Sequence, residues 1–300
     1  MSASIDTNLP YDSSLGAYLL LAPTLVVIGL FLYYPTVQTL RFSFFRTFLF
    51  GQRSQFVGLQ NFTTLLTSAA YQHSLAVTFL FAGAVVVASL SIGLFVALLL
   101  HEVSVAESAY LVAAIWPYAL PTAVAGIVFL FLANPSVGVY TVAVESTLGV
   151  DVDWFTDGPQ ALAVVTVAAV WKQIGFNVIF LLAALSGVPE SLEEACRLDG
   201  VGRLAKLRRV YLPLISPTLV FLVVMNTIFA FFGGFAFVDL MTQGGPSGAT
   251  NLLIYKLFKD AFEYGNLGLA SAQSVILFVI VAALTYVQLR VSDERAHYGA

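Results

Sequence analysis

Six segments of the chain are each long and apolar enough to cross a lipid bilayer. A spanning helix needs about 20 mostly apolar residues to cross a hydrocarbon core about 30 Å thick. Such segments lie at residues 16–39, 75–100, 109–132, 161–187, 212–238 and 267–289. Hydrophobic residues make up 59% of the chain and charged residues only 10%, whereas a soluble domain carries about 25% charged residues. The sequence therefore predicts an all-α, polytopic membrane protein with six transmembrane helices.

The positions of Lys and Arg predict the orientation of these helices. Five of the thirteen basic residues lie in the connection between the fourth and fifth segments, from Arg197 to Arg209, and Arg290 and Arg295 follow the sixth. Because Lys and Arg are enriched in cytoplasmic loops, we expect this connection and both termini in the cytoplasm. Seven basic residues would then lie on the cytoplasmic side and five on the opposite side. The predicted organisation is a cytoplasmic tail at 1–15, a six-helix membrane domain at 16–290 and a cytoplasmic tail at 291–300.

The connection at residues 189–213 reads PESLEEACRLDGVGRLAKLRRVYLP and is the most organised polar stretch of the chain. Ser191 stands three residues before Glu194, which fits a capping box at the start of a helix. Gly200 and Gly202 interrupt the pattern, and a basic amphipathic stretch follows. The pattern predicts two short helices joined at glycine at the membrane surface. These helices either dock on a cytoplasmic partner or anchor the bundle in anionic headgroups.

The same connection resembles the EAA motif of ABC importer permeases. That motif is written EAA, two residues, DGA, a variable stretch and then LP. The positions that carry the match are Glu194, Ala195, Cys196, Asp199, Gly200, Leu212 and Pro213. Cys196 and Val201 stand where Ala is usual, and Leu207 stands where Phe is common. None of these differences replaces an acidic residue or the glycine of the motif.

Similarity to carbohydrate-type permeases of this family extends over most of the chain. Residues 56–62, FVGLQNF, resemble a box after the first span, and Gly244-Gly245-Pro246 resembles one before the last. Narrower similarity to permease subunits for sn-glycerol 3-phosphate is carried by residues 54–59, 170–174, 253–256 and 271–275. The first and third of these also occur in sugar permeases, so a sugar or oligosaccharide remains the alternative substrate.

The resemblance implies a type I importer permease that is not itself an enzyme. Family members pair with a second permease, usually as a heterodimer, on two ATPase subunits, and an external solute-binding protein delivers substrate. Glu194 and Asp199 would be acidic contacts with the ATPase or internal caps, Gly200 the turn, and Ala195 the small residue that permits close approach. ATP and Mg would be held by the partners, since the chain has no GxxxxGK[ST] phosphate loop. Its net charge of -4 gives no reason to expect nucleic acid.

Polar residues inside predicted spans are candidates for the substrate path, because such groups are costly in the membrane. Lys172 is the only basic residue in the interior of a span, and Gln173 and Asn177 share a face of the same segment. Asn226 lies on the fifth segment. An anionic phosphate ester would favour a cation and amide donors. Alternatively, the amides hydrogen-bond across helices without touching substrate.

Two other classes of protein are disfavoured. A secondary transporter would show internal repeats or intramembrane acids for ion coupling, and the span interiors lack Asp and Glu apart from Asp239 near one end. A membrane enzyme or metal site would need a cluster of reactive side chains. The three histidines are far apart in sequence and expected in solvated or interfacial positions, and with Cys196 they form no catalytic or metal-binding pattern.

Overall fold

The computed structural model describes residues 14–48, 53–103 and 107–293, which are mostly helical. Five helices in this part of the chain are long and apolar enough to span a membrane: Tyr18–Ser43, Ala69–His101, Gly158–Ser186, Ser216–Thr242 and Leu267–Val291. The bent pair Ser108–Ala119 and Thr122–Leu132 makes a sixth when counted as one span. These helices confirm the predicted fold class. We number the six spans in this chain order, with the bent pair as the third.

The third span differs from the continuous helix predicted at 109–132. Its two arms meet at an angle of 98°. Leu120 and Pro121 form the break, and Pro121 has an extended backbone with φ -56° and ψ 141°. Proline has no N–H to continue the helix, and its ring disfavours a helical conformation in the residue before it. The segment predicted at 109–132 is therefore present as two helical arms rather than as one straight helix.

The remaining elements are short. The helices outside the spans are Gln60–Thr67, Val139–Leu148, Glu190–Leu198, Arg203–Lys206, Leu212–Leu214 and Leu253–Phe258, and a π-helical turn covers Leu207–Tyr211. The strands Phe45–Phe48 and Arg53–Phe56 pair antiparallel, with Phe45 opposite Phe56, and the all-α prediction missed them. The fifth span begins at Ser216 rather than at the predicted Leu212. The predicted tails lie largely outside the described residues.

The chain divides into two compact units. The first comprises residues 1–64 and 260–275, and the second residues 65–259 and 276–300. In the first, the Asn61 amide donates to the carbonyl oxygens of Ser43 and Phe45 and fixes the first span to the strand pair. In the second, the second and fourth spans form the principal helix contact.

One apolar cluster of the second unit lies at the end of the bundle where the 189–213 connection begins and ends. It joins residues of the second, fourth and fifth spans and of the turn before the fifth: Ala97, Phe176, Leu181, Leu185, Tyr211, Ile215 and Leu222. Each of these residues is at most 9% exposed. The two ends of the connection therefore lie against a packed apolar cluster.

Candidate functional site

The 189–213 connection folds as two helices around a glycine turn. Its first helix, Glu190–Leu198, is closed by bonds from the Gly200 amide to the Arg197 carbonyl (3.2 Å) and from the Val201 amide to the Cys196 carbonyl (2.9 Å). This bond pair is a Schellman cap, which needs a left-handed residue after the helix. Gly200 supplies it, with φ +65°. The predicted glycine turn is thus present at Gly200.

The start of that helix departs from the sequence prediction. Pro189 is the N-cap, with φ -60° and ψ 130°, and no side chain caps the first turn. Ser191 lies inside the helix, so the expected capping box with Glu194 does not form. Because Pro189 has its φ fixed by the ring, the extended conformation needed before a helix is available there without a capping side chain.

The motif residues form an exposed surface on the connection. Glu194, Ala195, Asp199 and Gly200 are all exposed, and Leu198 beside them is 89% exposed. Cys196 and Leu212 are half-buried, and Pro213 is exposed. An exposed leucine between two carboxylates leaves apolar and acidic groups available to a partner surface.

Glu193, one residue before the motif glutamate, lies on the inner side of the same helix. Its Oε1 accepts hydrogen bonds from His101 Nε2 (2.9 Å) and from the Tyr211 hydroxyl (2.8 Å). Its Oε2 lies 3.5 Å from Lys206 Nζ and 4.0 Å from the Arg197 guanidinium. The Glu193 side chain is only 15% exposed. We call Glu193, His101, Lys206 and Tyr211 the loop cluster.

The electrostatics of the loop cluster favour an ionised Glu193. Burial raises the pKa of the carboxyl, but hydrogen bonds from His101 and Tyr211 and the charge of Lys206 outweigh it and lower the pKa to about 2. Lys206 also lies 4.7 Å from the centroid of the Tyr211 ring. The carboxylate is therefore charged and held in place across the physiological pH range.

The sequence reasoning missed Glu193 and did not assign His101 to a site. Successive residues of a helix are about 100° apart, so neighbouring glutamates face different surroundings. The available signal was that Glu193 and Cys196, three residues apart, share one face. Only the position of the second and fifth spans shows that this face is the inner one. Among the described residues, no group of three or more His, Cys, Asp and Glu could hold a metal ion.

Lys172, predicted for the substrate path, lies at the break in the third span. Its Nζ donates to the carbonyl oxygens of Tyr118 (2.7 Å) and Leu120 (2.6 Å) and lies 5.0 Å from the centroid of the Tyr118 ring. The residue is 6% exposed. The broken helix leaves these carbonyl groups without helical partners, and Lys172 supplies the donors.

The predicted amide residues lie where the second, fourth and fifth spans meet. The Asn226 amide nitrogen donates to Asn177 Oδ1 (2.7 Å), and Ser89 Oγ donates to Asn226 Oδ1 (3.0 Å). Both asparagines are 0% exposed, and Gln173 is 4% exposed. A Cβ on Gly93 would approach the Asn177 side chain to 2.7 Å. These spans are thus joined by hydrogen bonds at close backbone approach, as membrane helices commonly are.

The helical bundle and its exposed loop define a membrane permease of the ABC importer class. Residues 89–297 match the family described as "Binding-protein-dependent transport system inner membrane component". The chain belongs to this family.

Named relatives cover nearly the whole chain. It is 41% identical over 289 residues to the sn-glycerol-3-phosphate transport system permease protein UgpA of Brucella abortus biovar 1 (strain 9-941), covering 96% of this chain and 98% of the relative. The protein of the same name from Agrobacterium fabrum (strain C58 / ATCC 33970) is 40% identical with the same coverage.

Solved structures share the fold. A chain of a bacterial ABC transporter for import of the acidic polysaccharide alginate superimposes with a TM-score of 0.80 at 20% identity, over 93% of this chain and 95% of that one. A chain of the alginate transporter in complex with an alginate pentasaccharide-bound periplasmic protein gives a TM-score of 0.82 at 21% identity, over 95% and 96%.

Proposed function

We propose that this permease carries sn-glycerol 3-phosphate across the cell membrane. The observation that supports the substrate is 41% identity, over 96% of the chain, to a relative named for that transport. The alternative is a sugar or oligosaccharide, since a chain of an alginate importer has the same fold. In either case the chain is the transport subunit and ATP is hydrolysed by other subunits.

The proposed assembly contains this chain, a second permease, two ATPase subunits and an external solute-binding protein. Both termini and the 189–213 connection face the cytoplasm, where ATP is available. The exposed Glu194 and Leu198, which share one face of the helix, and the exposed Asp199 at its end support a contact with the ATPase at this surface, because they give it both charge and apolar area. We call the helix Glu190–Leu198 the coupling helix. ATP-driven closure of the ATPases would move this helix and switch the spans between two packings.

Uptake of labelled sn-glycerol 3-phosphate tests the substrate. Cells that lack this chain, and cells with it restored, are compared in a strain without another glycerol phosphate importer, with labelled maltose as the second substrate. We expect loss and recovery of glycerol phosphate uptake alone. Recovery of maltose uptake instead would replace the substrate by a sugar and leave the permease class unchanged.

Reversal of the motif charge tests the docking surface. Glu194→Lys is expected to insert normally and to abolish ATP-coupled uptake, because the substitution puts a cation on the exposed coupling surface. Glu190→Lys places the same cation at the exposed start of the same helix and is expected to reduce uptake much less. Normal uptake by correctly inserted Glu194→Lys would refute docking at this surface.

A further inference from the structure

The structure assigns a positioning role to Glu193: it fastens the coupling helix to the second and fifth spans, so that the three move as one body. This inference rests on the proposed coupling function of the 189–213 connection. Glu193 is not one of the motif positions that face the proposed ATPase surface. It acts through the elements that its carboxylate holds together.

The partners of Glu193 come from two separate stretches of chain, the end of the second span and the helical run that leads from Arg203 to the fifth span. His101 is the last residue of the second span, Lys206 ends the second loop helix, and Tyr211 lies five residues before the fifth span. The coupling helix itself follows the fourth span by covalent connection. A displacement of the coupling helix is therefore passed to the fourth span by the chain, and to the second and fifth spans by the loop cluster.

The chemistry of the loop cluster requires a carboxylate. One oxygen accepts two hydrogen bonds, from His101 and Tyr211, while the other faces the Lys206 ammonium. A carboxylate offers acceptors on both oxygens, and bonds to an ionised acceptor are stronger than neutral ones. Glutamine at this position would keep the size but turn an amide N–H₂ toward one set of donors. It would leave at least one partly buried donor unpaired, which is costly.

The packing beneath the cluster makes the link stiff. Tyr211 is 5% exposed and belongs to the same apolar cluster as Ala97 of the second span and Leu185 of the fourth. Its ring also packs edge-on against His101, with centroids 5.9 Å apart. Because Tyr211 is held by this packing, its hydroxyl is a fixed anchor for Glu193 rather than a flexible one. Packed contacts of this kind switch between discrete arrangements instead of stretching.

Substrate imported per ATP hydrolysed, by the complete importer in lipid vesicles, tests the inference. We expect Glu193→Gln to assemble with its partners but to lower this ratio about tenfold, as loss of a coupling free energy does. Tyr211→Phe removes one donor and is expected to give a smaller loss, and the double variant no more than Glu193→Gln alone. Glu190→Gln is the matched control, a neutralised exposed glutamate on the same helix, and is expected to keep the wild-type ratio.

A second readout is independent of transport. Amide hydrogen exchange at residues 190–198 of the purified full-length chain is expected to rise in Glu193→Gln and stay unchanged in Glu190→Gln. This result distinguishes the inference from the proposed function, because it holds whichever substrate the importer carries and whether or not Glu194 contacts an ATPase.

Three results would overturn the positioning role. The first is a wild-type ratio of import to hydrolysis in Glu193→Gln. The second is unchanged exchange at residues 190–198. If Glu193→Gln fails to assemble, the import-to-hydrolysis ratio is measured in His101→Gln and in Tyr211→Phe instead. Each of these variants keeps the carboxylate and weakens one of its hydrogen bonds. A wild-type ratio in both of these variants would be the third.

Discussion

The ammonium of Lys172 lies 2.7 Å from the backbone carbonyl oxygen of Tyr118, the penultimate residue of the first arm of the third span. The same ammonium bonds to the Leu120 carbonyl and lies near the Tyr118 ring. A helix end carries partial negative charge on its free carbonyl groups, and a cation stabilises it. Lys172 of the fourth span therefore stabilises the broken end of the first arm of the third span.

Substitution of Lys172 separates this structural role from a role in binding an anionic substrate. Lys172→Gln keeps a hydrogen-bond donor without the charge, whereas Lys172→Met removes both. If the main role is to cap the break, Lys172→Gln should retain most of the folded protein and most of the uptake. Lys172→Met should lose both, because two carbonyls would lack donors in the membrane. The level of membrane-inserted protein and the KM for uptake check this.

The outcome expected of a substrate-binding lysine is different. Both variants would then insert at wild-type levels, and both would raise the KM for a phosphorylated substrate by a similar factor. That result would place the ammonium in the substrate path and contradict a purely structural role.

Removal of one asparagine of the Asn177–Asn226 pair should destabilise the bundle. Asn226→Ala leaves Asn177 and Ser89 without a partner at a fully buried site, at a cost of about 1 kcal/mol, typical of interhelical bonds in membranes. In a double-mutant cycle, Asn177→Ala should cost little more once Asn226 is alanine, because the shared bonds are already gone. The stabilities of the wild type, the two single variants and the double variant are measured by thermal unfolding of the detergent-purified chains. Strict additivity would show that the two amides do not stabilise each other.

Glycine should be required at 200 but not at 202. Gly200 has φ +65°, and Gly202 has an ordinary φ of -64°. An added Cβ would meet no described atom within 4 Å at either position. Gly200→Ala should therefore cost about 1 kcal/mol through backbone strain alone, and Gly202→Ala should be close to neutral. Uptake and melting temperature of the two variants test this, and equal effects would contradict it.

The first unit contains a glycine that permits close approach of two segments. A Cβ on Gly268, near the start of the last helix, would collide with the carbonyl oxygen of Phe45 in the first strand. A backbone oxygen cannot move aside to relieve the collision as the end of a flexible side chain can. Gly268→Ala should therefore lower the amount of folded protein severely. Gly83→Ala is the control, since no described atom lies near its Cβ and alanine favours helix by about 1 kcal/mol. Comparable yields of the two variants would contradict the collision.

Acid should weaken the loop cluster in a defined range. The pKa of Glu193 is about 2 in the folded chain against an ordinary 4.5, so ionised Glu193 stabilises the fold fully above pH 4.5. This contribution, at most about 3 kcal/mol, is lost as the pH falls from 4.5 toward 2. Wild type should unfold at a higher temperature than Glu193→Gln near neutral pH, and this difference should shrink on acidification. A difference that stays constant with pH would show that the charge does not contribute.

The sequence by itself determined the membrane class, the six apolar segments and the surface loop with its glycine turn. These features depend on local composition and spacing. In lipid, a run of about 20 apolar residues can satisfy its backbone hydrogen bonds within itself only by forming a helix. The turn at Gly200 ends its helix through a local backbone conformation, which does not depend on what the loop packs against.

Tertiary structure decided the properties that depend on neighbours distant in the chain. The size of the bend at Pro121, and the capping of its carbonyls by Lys172, require the third and fourth spans side by side. Glu193 and Glu194 are adjacent and chemically identical, and only the positions of His101 and Tyr211 make one a partly buried anchor and leave the other exposed. No local pattern carries that difference, because the bonds involved join residues up to 92 positions apart.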